Sequence, residues 1–362
     1  MEITMNKAIT IIAMVPIMFL SDLANSAEMY NRNNTKVELY AGINARREFN
    51  NSGNYDKTLV DLGFYGETKV TKDIIGYGFW QSRMTEGSNE WSSNYGVRQQ
   101  YAGIKMENIG SIDYGRNFGI LYDVERYTDV APYFSGETWS ANADNFMVTR
   151  GSSMLTYRNK DLFGQLKGLD FALQYQAKKE GYGVDKDNGE GYGSSISYQI
   201  TNDLKITGAY SRSRRTPDQN LAEWQDPKYA KAWGIGSVYT TNHLYLAAVY
   251  AETKNMTQLI MDDSTGTDYL ATADKAKNLE LVAQYQFDNG LRPSISYVKT
   301  KVEDGLAGDY TFAEYVQAGV LYKLNANIQL WFDHRYSMIN KPVDYFNSIS
   351  DDRTAAGVIF MF

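Results

Sequence analysis

The sequence predicts an all-β fold, an antiparallel transmembrane barrel of about 16 strands. Three observations point there. Segment after segment alternates apolar and polar residues with a period of two. Short polar turns alternate with long Gly/Ser/Asn/Asp-rich connections. Beyond the N-terminal segment, no apolar run approaches the roughly 18 residues that a membrane helix needs. The composition agrees: 29 Tyr and 30 Gly against 6 Pro suit a Gly-punctuated β structure with aromatics at an interface.

Composition also excludes classes. With no Cys there is no disulfide framework and no thiolate chemistry, and two His (His243 and His334) leave no multi-histidine metal cluster. A net charge of -7 and a pI of about 5.1 argue against a nucleic-acid partner. No enzyme activity and no cofactor are expected: neither histidine stands in a Ser/Asp constellation, and both read as structural.

The N-terminus reads as an address. Lys7 precedes an apolar stretch over 8–20, and a polar, small-residue tail follows to Ala27. That is the layout of a secretory signal, with cleavage expected after Ser26. Residues 1–26 are therefore assigned to the signal peptide and 27–362 to the barrel.

From Leu279 the chain alternates strictly. Leu279, Leu281, Ala283, Tyr285 and Phe287 take one face, and Glu280, Val282, Gln284 and Gln286 take the other. The same period recurs at Leu169/Phe171/Leu173/Tyr175, Leu204/Ile206/Gly208/Tyr210, Leu244/Leu246/Ala248/Tyr250 and Ile328/Leu330/Phe332. Each segment is a strand with one apolar and one polar face. Its aromatic ends suit a girdle at the water–lipid boundary.

Short turns are expected near Thr71–Asp73, Asn202-Asp203, Thr241-Asn242, Asp288–Gly290 and Asn325–Asn327. Long connections cover roughly 46–56, 81–95, 178–190, 213–229, 252–276, 300–311 and 338–351. A mature chain of 362 − 26 = 336 residues, at about 20 per strand with half its connections, gives the 16-stranded estimate. Hydrocarbon offers backbone groups no partner, so only a closed sheet could cross with these strands. One of this width leaves an aqueous lumen, which suits Gln284, Gln286, Arg292 and Ser294 at inward positions. At the C-terminus Ala356, Val358, Phe360 and Phe362 share a face. That strand is expected to close the barrel against the first, near residues 37–43.

Several motifs carry a family resemblance. They include Ala27-Glu28-Met29-Tyr30-Asn31, Leu62-Gly63-Phe64-Tyr65-Gly66-Glu67-Thr68, Asp113-Tyr114-Gly115-Arg116-Asn117-Phe118-Gly119 and Thr156-Tyr157-Arg158-Asn159. Leu281-Val282-Ala283-Gln284-Tyr285-Gln286-Phe287 and Gly290-Leu291-Arg292-Pro293-Ser294-Ile295 continue the series. Together they resemble the enterobacterial general diffusion porins of the OmpF/OmpC/PhoE type, over nearly the whole mature chain. The resemblance implies a homotrimer of barrels in the Gram-negative outer membrane, set among lipid and lipopolysaccharide. It implies passage of small hydrophilic solutes and ions, and assembly machinery that reads the terminal Phe362. It also implies a third loop folded inward to constrict the pore, here about 121–148.

Carried over by residue, Asp129 keeps the family's loop aspartate and Glu137 stands for a second acid. Arg98 and Arg150 match two wall arginines. By strand parity both project inward, with Gln100 and Ser152 on the same faces. Three positions depart: Gly42 stands where the family has a wall lysine, Asp61 where it has a wall arginine, and Tyr133 where it has a loop glutamate. The change is (-2) + (+1) + (-1) = -2 at the constriction. A cation-preferring pore with a weakened transverse field is expected, and Asp61 is expected near Arg98. Arg46, four residues beyond Gly42 on the same face, lies about 13 Å along the strand and is a candidate substitute cation.

A substrate-specific channel, for sugars for example, is the alternative, and Tyr122, Phe118 and Tyr133 are candidates for its aromatic slide. Gln99 and Gly103 read as outward positions that favour a protein-facing, trimeric interface over lipid. Glu86 or Glu90 of the second loop is a candidate latch onto a neighbouring subunit. Asp262-Asp263 and Asp351-Asp352-Arg353 read as solvated loop charge.

Overall fold

The computed structural model describes residues 27–85, 94–136, 139, 144–183, 185–223, 227–262, 268–303, 308–339 and 349–362. The expected signal segment, Glu86, Glu90, Glu137 and Asp263 lie outside them. Sixteen antiparallel strands close into one barrel. In chain order they are β1 (Thr35–Asn50), β2 (Leu59–Lys69), β3 (Ile74–Thr85), β4 (Asn94–Met106), β5 (Gly110–Phe118), β6 (Arg150–Asn159), β7 (Leu169–Gln176) and β8 (Gly191–Gln199). There follow β9 (Leu204–Arg214), β10 (Tyr229–Thr240), β11 (Leu244–Lys254), β12 (Lys275–Tyr285), β13 (Leu291–Glu303), β14 (Tyr310–Lys323), β15 (Ile328–Ser337) and β16 (Arg353–Met361). Each pairs with its neighbour in sequence, as an up-and-down barrel requires.

The two-residue period does what the sequence analysis expects of it. On β12 the odd positions face out, with Leu281 41% and Tyr285 42% exposed. The even positions face in, with Glu280 at 2% and Gln284 at 7%. Leu173, Ile196, Ile235, Ile295 and Leu330 extend the apolar outer band. Among the described residues no helix is long and apolar enough to cross a membrane, so the crossing is made by strands.

Closure differs in register from the expectation. β16 pairs with residues 42–49 of β1, from Gly42↔Met361 to Phe49↔Thr354, rather than with 37–43. The lower edge of β1 is already occupied. The N-terminal strand Ala27–Arg32 turns back through Asn33 and Asn34, both at positive φ (54° and 63°), and pairs with residues 35–39. Asn tolerates that left-handed conformation better than most residues. The end of one strand therefore abuts the start of another along β1, and no edge is left bare.

The five expected turns are all present, and two more were missed, at 107–109 between β4 and β5 and at 160–168 between β6 and β7. The stretch 46–56 is not a loose loop. β1 runs on to Asn50, turns, and returns as the short strand Gly53–Asp56. Arg46 thus stays on a regular strand, on the lumen face with Tyr40, Gly42 and Asn44.

The third loop leaves β5 and runs inside the barrel before β6. Its first turn is a short helix, α1 (Tyr122–Glu125). Ile120, Leu121, Val124, Tyr127, Trp139 and Met147 pack against Ala209, Ala230, Ala232, Ala247, Val249 and Ala251 of β9–β11. The wall makes room with small residues. A Cβ on Gly234 would stand 3.0 Å from the Trp139 ring, and one on Gly193 2.5 Å from Ile120. Burying each of Leu121, Val124 and Met147 contributes about 1.5–3 kcal/mol, enough to hold the loop in the lumen.

Candidate functional site

The loop is tied at its root by charge. Asp123 accepts two hydrogen bonds from Arg158 (3.0 and 2.8 Å) and one from the Ser195 hydroxyl (2.6 Å). Burial pushes the Asp123 carboxyl up, but Arg158 and Ser195 outweigh it and hold it below the ordinary carboxylate value. Next to it a stack rises from the wall. Arg150 lies over the Phe118 ring at 4.3 Å. Phe118 stacks on Tyr122 at 4.3 Å with 7° between planes. The Tyr122 hydroxyl then donates to Asp129 at 2.8 Å, and Ser135 donates to the other oxygen at 2.8 Å.

The tip is pinned to the far wall through Tyr133. The backbone N–H groups of Tyr133 and Phe134 both donate to Asp333 of β15, at 2.8 and 2.9 Å. The Tyr133 ring stacks on Trp331 at 5.5 Å and 14°. Its hydroxyl donates to Glu48 at 2.8 Å, and Glu48 in turn pairs with Arg353 at 3.2 Å. Gln284 of β12 donates to the Val130 carbonyl at 2.8 Å.

Between tip and wall is a cavity of about 410 Å³. The loop side supplies Asp129, Val130, Ala131, Pro132, Tyr133 and Ser135. The wall supplies Gly42, Asn44, Arg46, Asp61, Gln81, Arg83, Gln284 and Arg292 among others. Of the eight residues singled out from sequence, Gly42, Asp61, Asp129 and Tyr133 line this space. Tyr122, Arg98 and Arg150 stand beside it. Arg98 has Arg150, Arg83, Asp61 and Tyr122 as its electrostatic neighbours. Glu137 lies outside the described residues.

Asp61 lies near Arg98, as expected, and its direct charged partner is Arg83, through two hydrogen bonds of 2.8 and 2.6 Å. The parity argument for Arg98 fails in its detail. The β3–β4 register slips there: Gln81 faces Gln99 while Ser82 faces Val97, so Arg98 is a bulge residue. Beyond it Gln99, Tyr101, Gly103 and Lys105 point inward and Gln100 outward. Gln99 is buried and donates to Asn117 at 3.0 Å, and Gly103 lies against Asp113. Neither is an outward position, so neither supports a subunit interface. Ser152 accepts from Arg116.

Three residues that shape the gap were not singled out from the sequence, Arg83, Asp333 and Trp331, while Arg46 was named there as a candidate substitute cation. A signal for Arg83 existed. The turn centred on Lys72 places residues equidistant from it in register, and 72 − 61 = 11 = 83 − 72, as the pairing Asp61↔Arg83 shows. Arg46 lies over the Tyr133 ring at 4.8 Å and donates from Nε to the Lys57 carbonyl at 2.6 Å. Among the described residues the three expected rings form no open slide, since Tyr122 and Phe118 are buried and Tyr133 is covered on both faces. Among the described residues no three His, Asp or Glu side chains are grouped to hold a metal. What the arrangement offers is a narrow polar gap with fixed charge of both signs on facing walls.

A family model described as Gram-negative porin matches residues 32–362. Outer membrane porin F of Salmonella typhimurium strain LT2 is 43% identical over 99% of this chain and 100% of its own length. Outer membrane porin PhoE of Klebsiella oxytoca is 42% identical over 94% of this chain and 96% of its own. The solved structure of Salmonella typhi OmpF in complex with daunomycin superposes with a TM-score of 0.86 at 42% identity, covering 93% of this chain and 100% of that one. The trimer form of Vibrio cholerae OmpT, at 13% identity and a TM-score of 0.66, shares the fold.

Proposed function

The chain belongs to the Gram-negative porin family, a multi-pass β-barrel of the outer membrane, and from that premise we propose that it is a general diffusion pore for small hydrophilic solutes and ions. The observation that carries the reading is the third loop, whose tip enters the barrel and leaves a polar gap lined by Asp129 and Tyr133 on one side and Gly42, Asp61 and Arg83 on the other. Such a gap admits hydrated solutes by size and orients them by charge, with no bond made or broken. Arg98, Arg150 and Tyr122 support the field from behind this lining, and Glu137 belongs to the same loop.

Ion preference is a balance. The differences at 42, 61 and 133 lower the charge by two units relative to the resembled pattern, while Arg46 and Arg83 place two cations within the lining. With a net charge of -7 over the whole chain, we propose a slight cation preference rather than a strong one. The working form is a homotrimer among outer-membrane lipid and lipopolysaccharide. Residues 1–26 direct export, and the terminal Phe362 is read by barrel assembly machinery. The relatives' likeness over full length supports these statements.

Reconstitution in planar bilayers tests the proposal. Ohmic conductance linear in KCl concentration, and solute flux that falls with solute size without saturating, are expected. Silent bilayers, or saturable flux of one solute, would overturn it. A reversal potential favouring anions in a KCl gradient would overturn the cation preference alone.

A further inference from the structure

The geometry points to Arg46 as the residue that holds the pore's cation preference down, positioned for that task by Tyr133. The inference rests on the diffusion-pore reading and names a selectivity residue within it.

The argument begins with what surrounds the guanidinium. Arg46 lines the cavity from β1, four residues along the strand from Gly42, where no side chain projects. Its two nearest acids are matched elsewhere. Asp61 is held by both nitrogens of Arg83, and Glu48 takes the Tyr133 hydroxyl and the Arg353 guanidinium. Among the described residues Arg46 itself has no ion-pair partner. Its contacts are a backbone carbonyl, Lys57 O, and the face of the Tyr133 ring. Neither cancels its charge. A ring face attracts a cation through its quadrupole, worth position and not neutrality.

Tyr133 can serve as a platform because it cannot move. Its opposite face rests on Trp331, its hydroxyl on Glu48 and its N–H on Asp333. The loop tip, where the resembled family places an acid, therefore presents a ring that carries a wall arginine into the gap. A planar guanidinium stacks on a ring in a way an ammonium does not reproduce, so Arg and Tyr suit each other here.

The test is a set of reversal potentials in a KCl gradient on refolded, heat-modifiable protein. Arg46→Gln should raise the cation-to-anion permeability ratio about three-fold, as expected for one unit charge ~12 Å from a passing ion in water, which acts with opposite sign on cation and anion. Tyr133→Leu, which removes the platform, should shift the ratio in the same direction. Tyr133→Phe, which keeps the ring and loses the Glu48 bond, should stay near wild type. Arg47→Gln, on the exposed outer face of the same strand, should leave it unchanged. An unaltered ratio in Arg46→Gln overturns the inference. A wild-type ratio in Tyr133→Leu, or a shift in Tyr133→Phe equal to that of Leu, overturns the part assigned to the ring. Absence of conductance in the wild type would instead remove the diffusion-pore reading beneath it.

Discussion

Arg83 and Asp61 face each other directly across β2 and β3 and join through a two-point bridge of 2.8 and 2.6 Å. A planar fork on a carboxylate is the strongest geometry such a pair can adopt. Neither side chain is fully withdrawn from water, at 25% and 27% exposed, so the pair neutralises charge more than it stabilises the barrel.

Breaking the bridge from either end should move selectivity in opposite directions. Asp61→Asn leaves Arg83 positive in the lining and should shift the reversal potential toward anions. Arg83→Gln leaves Asp61 and should shift it toward cations, each by about three-fold in permeability ratio. The double variant should return near wild type. Single variants that both shift the same way would show that the pair is not the unit it looks like in the structure.

Gly103 gives a sharp test of barrel register. A Cβ there would stand 2.3 Å from the Ile112 carbonyl oxygen and 2.7 Å from the Asp113 Cβ, and both are held by the sheet. Gly103→Ala should therefore abolish or strongly reduce the heat-modifiable folded form on a gel. If the residue faced outward, as simple parity suggests, alanine would be harmless.

That contrast shows where the sequence is legible. The period of two and the turn residues identify strand after strand, because one face meets lipid and the other water. The loop's entry was expected from motif resemblance, and the Ala- and Gly-rich inner wall of β9–β11 explains it physically. A bulge carries no such signature. One extra residue at Arg98 inverts the reading of every position after it on β4, which is how Gln99 and Gly103 were misplaced. Arg46 was obscured differently. Its polar neighbours made 46–56 look like a loop, although the chain there continues as paired strand. Contacts such as Tyr133 with Asp333 join residues 200 apart and have no local trace.

Asp333 should prove the anchor of the tip. It accepts both Tyr133 and Phe134 N–H groups and also Gln317 of β14. Asp333→Ala leaves two loop donors without their charged acceptor, at about 1.5–3 kcal/mol for each hydrogen bond. Single-channel records should show noisier current and closure at lower voltage, with the folded band lost at a lower temperature. Unchanged records would place the loop's restraint in its apolar seat instead.

Glu125 offers a dependence on pH. It sits on α1, on the loop rather than on a spanning strand, fully buried, and neither carboxyl oxygen has a hydrogen-bond partner among the described residues. Burial foremost, then the charges of Glu280 and Asp129, push its carboxyl well above the ordinary value, with Arg150 opposing only in part. A carboxyl raised in the folded state contributes stability that is complete below its unfolded pKa of about 4.3 and is lost as pH rises through the folded one. Alkali should therefore loosen the loop, and Glu125→Gln should relieve it. The variant should resist heat better than wild type at pH 8, by about 1.4 kcal/mol for each pH unit by which the folded carboxyl is raised above its unfolded value. The two proteins should converge near pH 4. An equal gain at both pH values, followed by the temperature at which the folded band disappears, would mean that packing rather than ionisation sets the difference.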